Sequence, residues 1–422
     1  MKTENRYYVQ IALLCGLCIV VSLLFGGTLI FVYTMTIADD LGIQRSVFSV
    51  FSMLRGLAAF LFNLKMLQLI QRFGMKKLIL AGLASAVVMM FMLTMSHNIV
   101  SLYIAGIIGG ASAAFNGVVP VSIIVRNWFY KAQGTVLAVV MSASGIAGVI
   151  LNPVVSYGVG YLGWRATFQI LAGITILILF ATIKLLKVSP QEVDLEPYGG
   201  NGPTEDRIDE GSGQGQVHIW GNALPDKNLR ALLLITILFN FSGMCVFNHT
   251  SAILTDIGFT TAFATGIAAS CNSLANCLGK LGMGWVNDRF GCKTMLLVWY
   301  GVMPLAVLFF LVFRTAMAPI GAVGGLLGGY LGGIYSIPLT VTAGVLYPDR
   351  SSYTVAVSYC TAVATLCSTV SAILFHGFYD VSGSYVISLG YSLVLALFCL
   401  VLVIGLIQRN QQAFAHNLCQ KG

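Results

Sequence analysis

The chain has 422 residues, is 57% hydrophobic and only 9% charged, and carries a formal net charge of +8. Soluble domains carry roughly 25% charged residues, so an ordinary water-soluble protein is excluded. The basic excess would suit nucleic acid, but its confinement to alternate loops, set out below, excludes that class too.

A helix needs ~20 mostly apolar residues to cross the hydrocarbon core. Stretches of that length predict twelve spans, at about 10–32, 47–67, 78–96, 101–124, 135–157, 166–186, 229–253, 262–284, 295–313, 320–346, 354–375 and 383–407. The first is too long for a signal-peptide core, has no clear cleavage site after it, and is followed by eleven more. Cys15 and Cys18 have redox-motif spacing but fall inside this span, where two small residues packing in a helix is the simpler reading. When loops are assigned to alternating sides, one side takes nearly all loop Lys and Arg, among them Arg72, Lys76, Lys77, Arg126, Lys131, Arg289 and Lys293. The other side takes only Arg45, Arg165 and Arg314. Positive loops stay in the cytoplasm, so both termini are expected there and the chain is expected in the cell membrane.

Residues 188–228 hold 8 of the 15 acidic residues, with many Gly and Pro. Such a segment buries no core and is expected to be a flexible linker. It divides an all-α chain into six spans (1–187) and six spans (229–422). The halves repeat. LQLIQRFGMKK (67–77) and GWVNDRFGCKT (284–294) align at an offset of 217 (289 − 72), matching Arg72 with Arg289, Gly74 with Gly291 and Lys76 with Lys293. Pro120 and Pro338, each after a run of small residues, lie 218 apart. Two related six-helix halves are a common plan for secondary transporters, with substrate held near the midplane.

Gly284-x-x-x-Asp288-Arg289-x-Gly291-x-Lys293 resembles the loop motif of the major facilitator superfamily. The copy at 67–77 departs from it, with Leu67 for the glycine and Gln71 for the aspartate. Gly145, Gly148 and Pro153 resemble the superfamily's glycine–proline helix motif. Arg126-Asn-Trp-Phe and Gly163-Trp-Arg165 resemble its monocarboxylate and oxalate–formate branch. The resemblance implies twelve transmembrane helices and transport of a small carboxylate. It also implies a central cavity lined by spans one, four, seven and ten. On those spans lie Tyr33, Asn116, Asn240, Asn248, His249 and Tyr335, and histidine adds a possible proton carrier. In that branch the eighth span carries a basic residue eight positions before the motif aspartate, and Lys280 stands eight before Asp288. Residues 354–375 lack the further lysine of the oxalate carrier.

Charge within the spans points the same way. Arg55, Lys65 and Lys280 lie within spans, and no Asp or Glu lies in any span interior. A buried cation needs a partner, and an anionic substrate could supply it. Asn272, Asn276 and Lys280 fall at i, i+4 and i+8 on one helix face, and the offset of 217 maps them onto Arg55, Ala59 and Asn63. Lys65, near a helix end, is expected to snorkel to the headgroups. Arg55 could instead pair with helix-end carbonyls or with Asp39 or Asp40. Asp288, at the end of a span, could pair with the N-terminus of a neighbouring helix or with a basic residue as a latch, or the motif could be a plain turn that fixes topology. There is no phosphate-binding loop, zinc-helix motif or nucleophile elbow. The expectation is a non-enzymatic, cofactor-free and metal-free carrier. It works as a monomer in the bilayer and moves a small organic anion by antiport or proton-coupled symport. An exporter of hydrophobic or amphiphilic compounds, or a non-transporting sensor, are the rival expectations.

Overall fold

The computed structural model describes residues 2–22, 37, 40–42, 45–96, 98–200, 226–260, 263–334 and 337–414. The architecture is helical throughout. In the first half run α1 (Lys2–Ile19), α2 (Arg45–Leu64), α3 (Met66–Phe73), α4 (Met75–Thr94), α5 (Ile99–Phe115), α6 (Val118–Trp128) and α7 (Gln133–Leu185). In the second run α8 (Lys227–Phe241), α9 (Gly243–Ile257), α10 (Ala269–Val312), α11 (Ala318–Gly333), α12 (Ile337–Leu346), α13 (Arg350–Ser382) and α14 (Val386–Arg409). Among the described residues eight helices are long and apolar enough to cross a membrane, or nine with α2 and α3, bent by 65°, as one span.

Two helices fold back on themselves, and each supplies two passes. A Cβ on Gly158 would stand 3.2 Å from Thr167. Nine residues of straight helix would put about 13 Å between them. The reversal is at Gly163, with φ 79 and ψ 162. Likewise a Cβ on Gly282 would lie 3.5 Å from Trp299, and the chain turns at Gly291, with φ 83 and ψ 165. Gly74, between α3 and α4, has φ 80 and ψ 149. This backbone region is essentially reserved for glycine. The two copies of the repeated basic turn therefore share one conformation as well as one sequence.

The prolines act on their own helices. Proline cannot donate to the carbonyl four residues back, which is Asn116 for Pro120 and Ile334 for Pro338. Span four breaks there, at Asn116–Gly117 between α5 and α6, and Pro338 stands in the first turn of α12. Large apolar side chains such as Leu177, Leu305 and Val394 lie on the outside, as lipid contact requires.

The first part of the expected linker makes defined contacts with the first half. Trp128 Nε1 donates to Lys187 O at 3.0 Å, and Asn127 Nδ2 to Val188 O at 3.1 Å. Tyr198 bridges to the loop after α6: its N–H donates to Trp128 O, and its carbonyl accepts from Tyr130 and Lys131. The Tyr198 ring packs edge-on against Tyr8 at 5.4 Å. Acidic and glycine-rich composition hid this aromatic anchor. Residues 201–225 lie outside the described residues.

Candidate functional site: the seam between the halves

The two halves meet along α7 and α10, which run antiparallel at the face carrying the basic loops. The pairs fall in one register. Thr135 meets Asp288, Gly134 meets Asn287, Ala138 meets Gly284, Met141 meets Lys280, and Ser142 and Gly145 meet Cys277. Small residues make this possible. A Cβ on Gly284 would stand 2.4 Å from Ala138 Cβ and 2.8 Å from Gly134 O. From Asp288 to Cys277 the seam runs eleven residues, about 16 Å into the molecule.

At its basic end Asp288 Oδ2 accepts from the Thr135 backbone N–H at 2.7 Å and also from the Thr135 hydroxyl. Thr135 is in the first turn of α7, where unpaired N–H groups and the helix dipole favour an anion. Arg289 stays exposed, its guanidinium 5.4 Å from the Trp285 ring. Arg72 and Lys293 are exposed too, and Lys76 is half-buried.

Lys280 lies deep in the seam, 6% exposed, and its Nζ donates to Met141 O at 3.3 Å. Among the described residues no carboxylate pairs with it. Arg55 donates from Nη2 to Ser22 O at 3.2 Å, and its buried Nε has no partner. Its guanidinium is thus held by a carbonyl of the first span, while Asp40 is engaged elsewhere. Asp39, Tyr33 and Tyr335 lie outside the described residues. Lys65 is exposed at the bend between α2 and α3.

The Asn272–Asn276 stripe turns toward the glycine run of α11. Cβ atoms on Gly328 and Gly332 would lie 3.1 and 2.4 Å from the two side-chain amide nitrogens. Asn276 Oδ1 is buried without a partner. The structure therefore separates these asparagines from Lys280, whose contact is with the other half. Asn240 is fully buried, its Nδ2 donating to Thr236 O at 2.8 Å and its Oδ1 unpartnered. It borders a cavity of about 20 Å³ with Thr236, Tyr300, Pro338 and Thr342. Asn116, at the break in span four, is fully buried against Gly82, with neither amide atom partnered. Asn248 is exposed. His249 Nδ1 bonds Cys245 O at 2.8 Å and the ring stacks on Phe375 at 4.9 Å.

One residue at the seam enters the sequence reading as part of a branch motif and not as a site residue. Arg126, near the end of α6, reaches across to the other half and donates to the carbonyls of Tyr347, at 3.4 Å, and Pro348. Backbone acceptors are not encoded by side-chain identity, so the motif drew notice to Arg126 but not to its partners.

At the opposite face the ion pairs stay within each half. Asp40 pairs with Arg165 and accepts from Trp164 Nε1 at 3.1 Å. Asp256 accepts from Arg314 and Ser384 Oγ, both at 2.9 Å, and from the Tyr385 N–H at 3.2 Å.

Residues 15–264 match the profile of the Major Facilitator Superfamily. Human monocarboxylate transporter 2 is 25% identical over 139 residues, 33% of this chain and 29% of that protein. The mouse protein of the same name is 28% identical over 107 residues, 25% and 22% of the two chains. The matched stretches thus span less than a third of these relatives' length. A crystal structure of a variant of the E. coli fucose:proton symporter superposes with a TM-score of 0.70 at 11% identity, covering 95% of this chain and 98% of that one. At that identity the superposition speaks for the fold alone.

Proposed function

The chain belongs to the major facilitator superfamily, and from that premise we propose that it carries a small organic anion, a mono- or dicarboxylate, across the cell membrane by alternating access. The basic face, with both termini, is cytoplasmic in this reading. The observation that carries the proposal is Lys280. Its ammonium is buried and meets one peptide carbonyl, which solvates the charge but does not neutralise it. Arg55 is a second such cation, donating to the Ser22 carbonyl in the first half. A carboxylate reaching either would gain a charge-assisted hydrogen bond and relieve the cost of an uncompensated charge.

Lysine offers a point charge rather than a bidentate fork, which suits one carboxylate oxygen at Lys280. A second carboxylate would fall to Arg55. The monocarboxylate transporters that match part of the chain favour the same substrate class. With no carboxylate in the expected span interiors to relay protons, the cycle runs as anion exchange or as entry of an anion with its proton. His249 is the titratable group available on the seventh span for the latter.

Flux into proteoliposomes from a panel of labelled mono- and dicarboxylates tests this. The expected result is saturable uptake of at least one carboxylate, lowered at least tenfold by Lys280→Ala in protein that still superposes on wild type in thermal unfolding. Movement of neutral or cationic solutes, with carboxylates neither carried nor competing, overturns the reading in favour of the exporter class. Binding without flux would point to a sensor.

A further inference from the structure

We infer that Arg126 is a gate residue. It forms the return half of a reciprocal lock in which each half of the molecule presents a charge to a helix end of opposite polarity in the other. One direction is the Asp288 carboxylate of the second half on the N-terminal turn of α7. The other is the Arg126 guanidinium of the first half on the carbonyls of Tyr347 and Pro348, just past the C-terminus of α12. Carbonyls at a helix C-terminus carry partial negative charge, as N–H groups at an N-terminus carry positive. The two contacts thus have the same physics with the signs exchanged.

Arg126 is held on a second side. Its guanidinium lies over the Tyr353 ring at 4.5 Å, in the first turn of α13. Guanidinium suits this seat because it forks to two carbonyls while its face stacks on an aromatic ring. The residues it touches all belong to the second half, so the contacts exist only while the basic face is closed.

The lock explains a gap in the sequence repeat. In the first copy of the basic turn Gln71 replaces the aspartate, and Arg72 beside it is exposed and stacks only on Phe73. That copy cannot place an anion on a helix of the other half as Asp288 does. The first half instead contributes a cation, from the end of α6. Arg126 and Thr135 bracket one short loop, and that loop is bridged through Tyr130 and Lys131 to Tyr198. Both halves of the lock therefore hang on one braced segment. None of this depends on what the protein carries.

The test uses Cys277, in the seam and 6% exposed, as a reporter in full-length protein with the other nine of its ten cysteines replaced. The rate of labelling by a small maleimide, added from the basic face, measures how often the seam opens. Arg126→Ala is expected to raise the rate roughly tenfold, the scale set by losing a hydrogen bond from a charged donor. Arg126→Lys should raise it less, and Asp288→Asn should raise it as the partner clasp. Tyr353→Leu should raise the rate about two- to fivefold through the lost ring, and Tyr353→Phe, which keeps the ring but loses the hydroxyl's bond to Ser122 of the first half, should raise it less. The Tyr353 pair decides the matter if Arg126→Ala fails to fold. Labelling of Arg126→Ala within twofold of wild type overturns the inference. So does an equal rise at Cys399, buried in the second bundle and read in a second protein that keeps Cys399 as its single cysteine, since that would mark general loosening.

Discussion

The two faces of the molecule are built on different principles. At the basic face the polar contacts cross between the halves: Asp288 to Thr135, Lys280 to Met141, Arg126 to Tyr347 and Pro348. At the opposite face the described ion pairs stay inside a half, Asp40 with Arg165 and Asp256 with Arg314. Each half is tied to itself at one end and to its twin at the other. Such a build suits a change of shape in which the basic seam parts while the halves stay intact, as the proposed alternating access about a midplane site requires.

The seam is the place to break first. Gly284→Leu puts a branched side chain where even a Cβ would stand 2.4 Å from Ala138. The closed seam should become inaccessible, with flux falling at least ~10-fold, measured by uptake alongside maleimide labelling of Cys277. The opposite face should answer in stability instead, and unequally. Asp256 is the more buried acid and gathers three donors, so Asp256→Ala should cost about 2–3 kcal/mol in thermal unfolding. Asp40 and Arg165 are 42% and 36% exposed in their side chains, and Asp40→Ala should cost at most ~1 kcal/mol.

The smallest effect is a helix cap next to the Arg126 seat. Asp349 accepts from the Ser352 N–H at 2.7 Å at the start of α13. Burial works against its charged form, but the hydroxyls and amides of Ser351 and Ser352 outweigh that and hold its pKa at about 2, below the ordinary 3.8. A depressed carboxylate contributes stability above its unfolded pKa and loses it as pH falls through the folded one. The cap's contribution, about 1 kcal/mol against Asp349→Ala, should therefore be full above pH ~4 and fade toward pH ~2. Asp349→Asn keeps the cap and should flatten that dependence in acid unfolding curves.

Much of this frame was legible in the sequence. Apolar length gave the passes, and the repeat gave the equivalence of Gly74 and Gly291, later seen as one backbone conformation. Pro120 marked the break in span four, because proline acts on its own helix whatever surrounds it. The partners across the seam were not legible. Asn272, Asn276 and Lys280 share a spacing, yet a stripe covers enough arc that the asparagines turn to α11 and the lysine to α7. The receptors of Lys280 and Arg126 are carbonyls, which every residue carries. Tyr198 was lost in a segment whose acids and glycines argued for no structure at all.

The account stands on the seam opening in each transport cycle, and one cross-link tests that directly. A Cβ on Gly145 would lie 3.3 Å from Cys277 Cβ, close to the ~3.5–4.5 Å of a disulfide. Gly145→Cys, with Cys277 as the only other cysteine, should oxidise readily and bind the two halves across the seam. Flux in proteoliposomes should fall to background on oxidation and return on reduction. A protein fully cross-linked at this position that still transports would contradict the account.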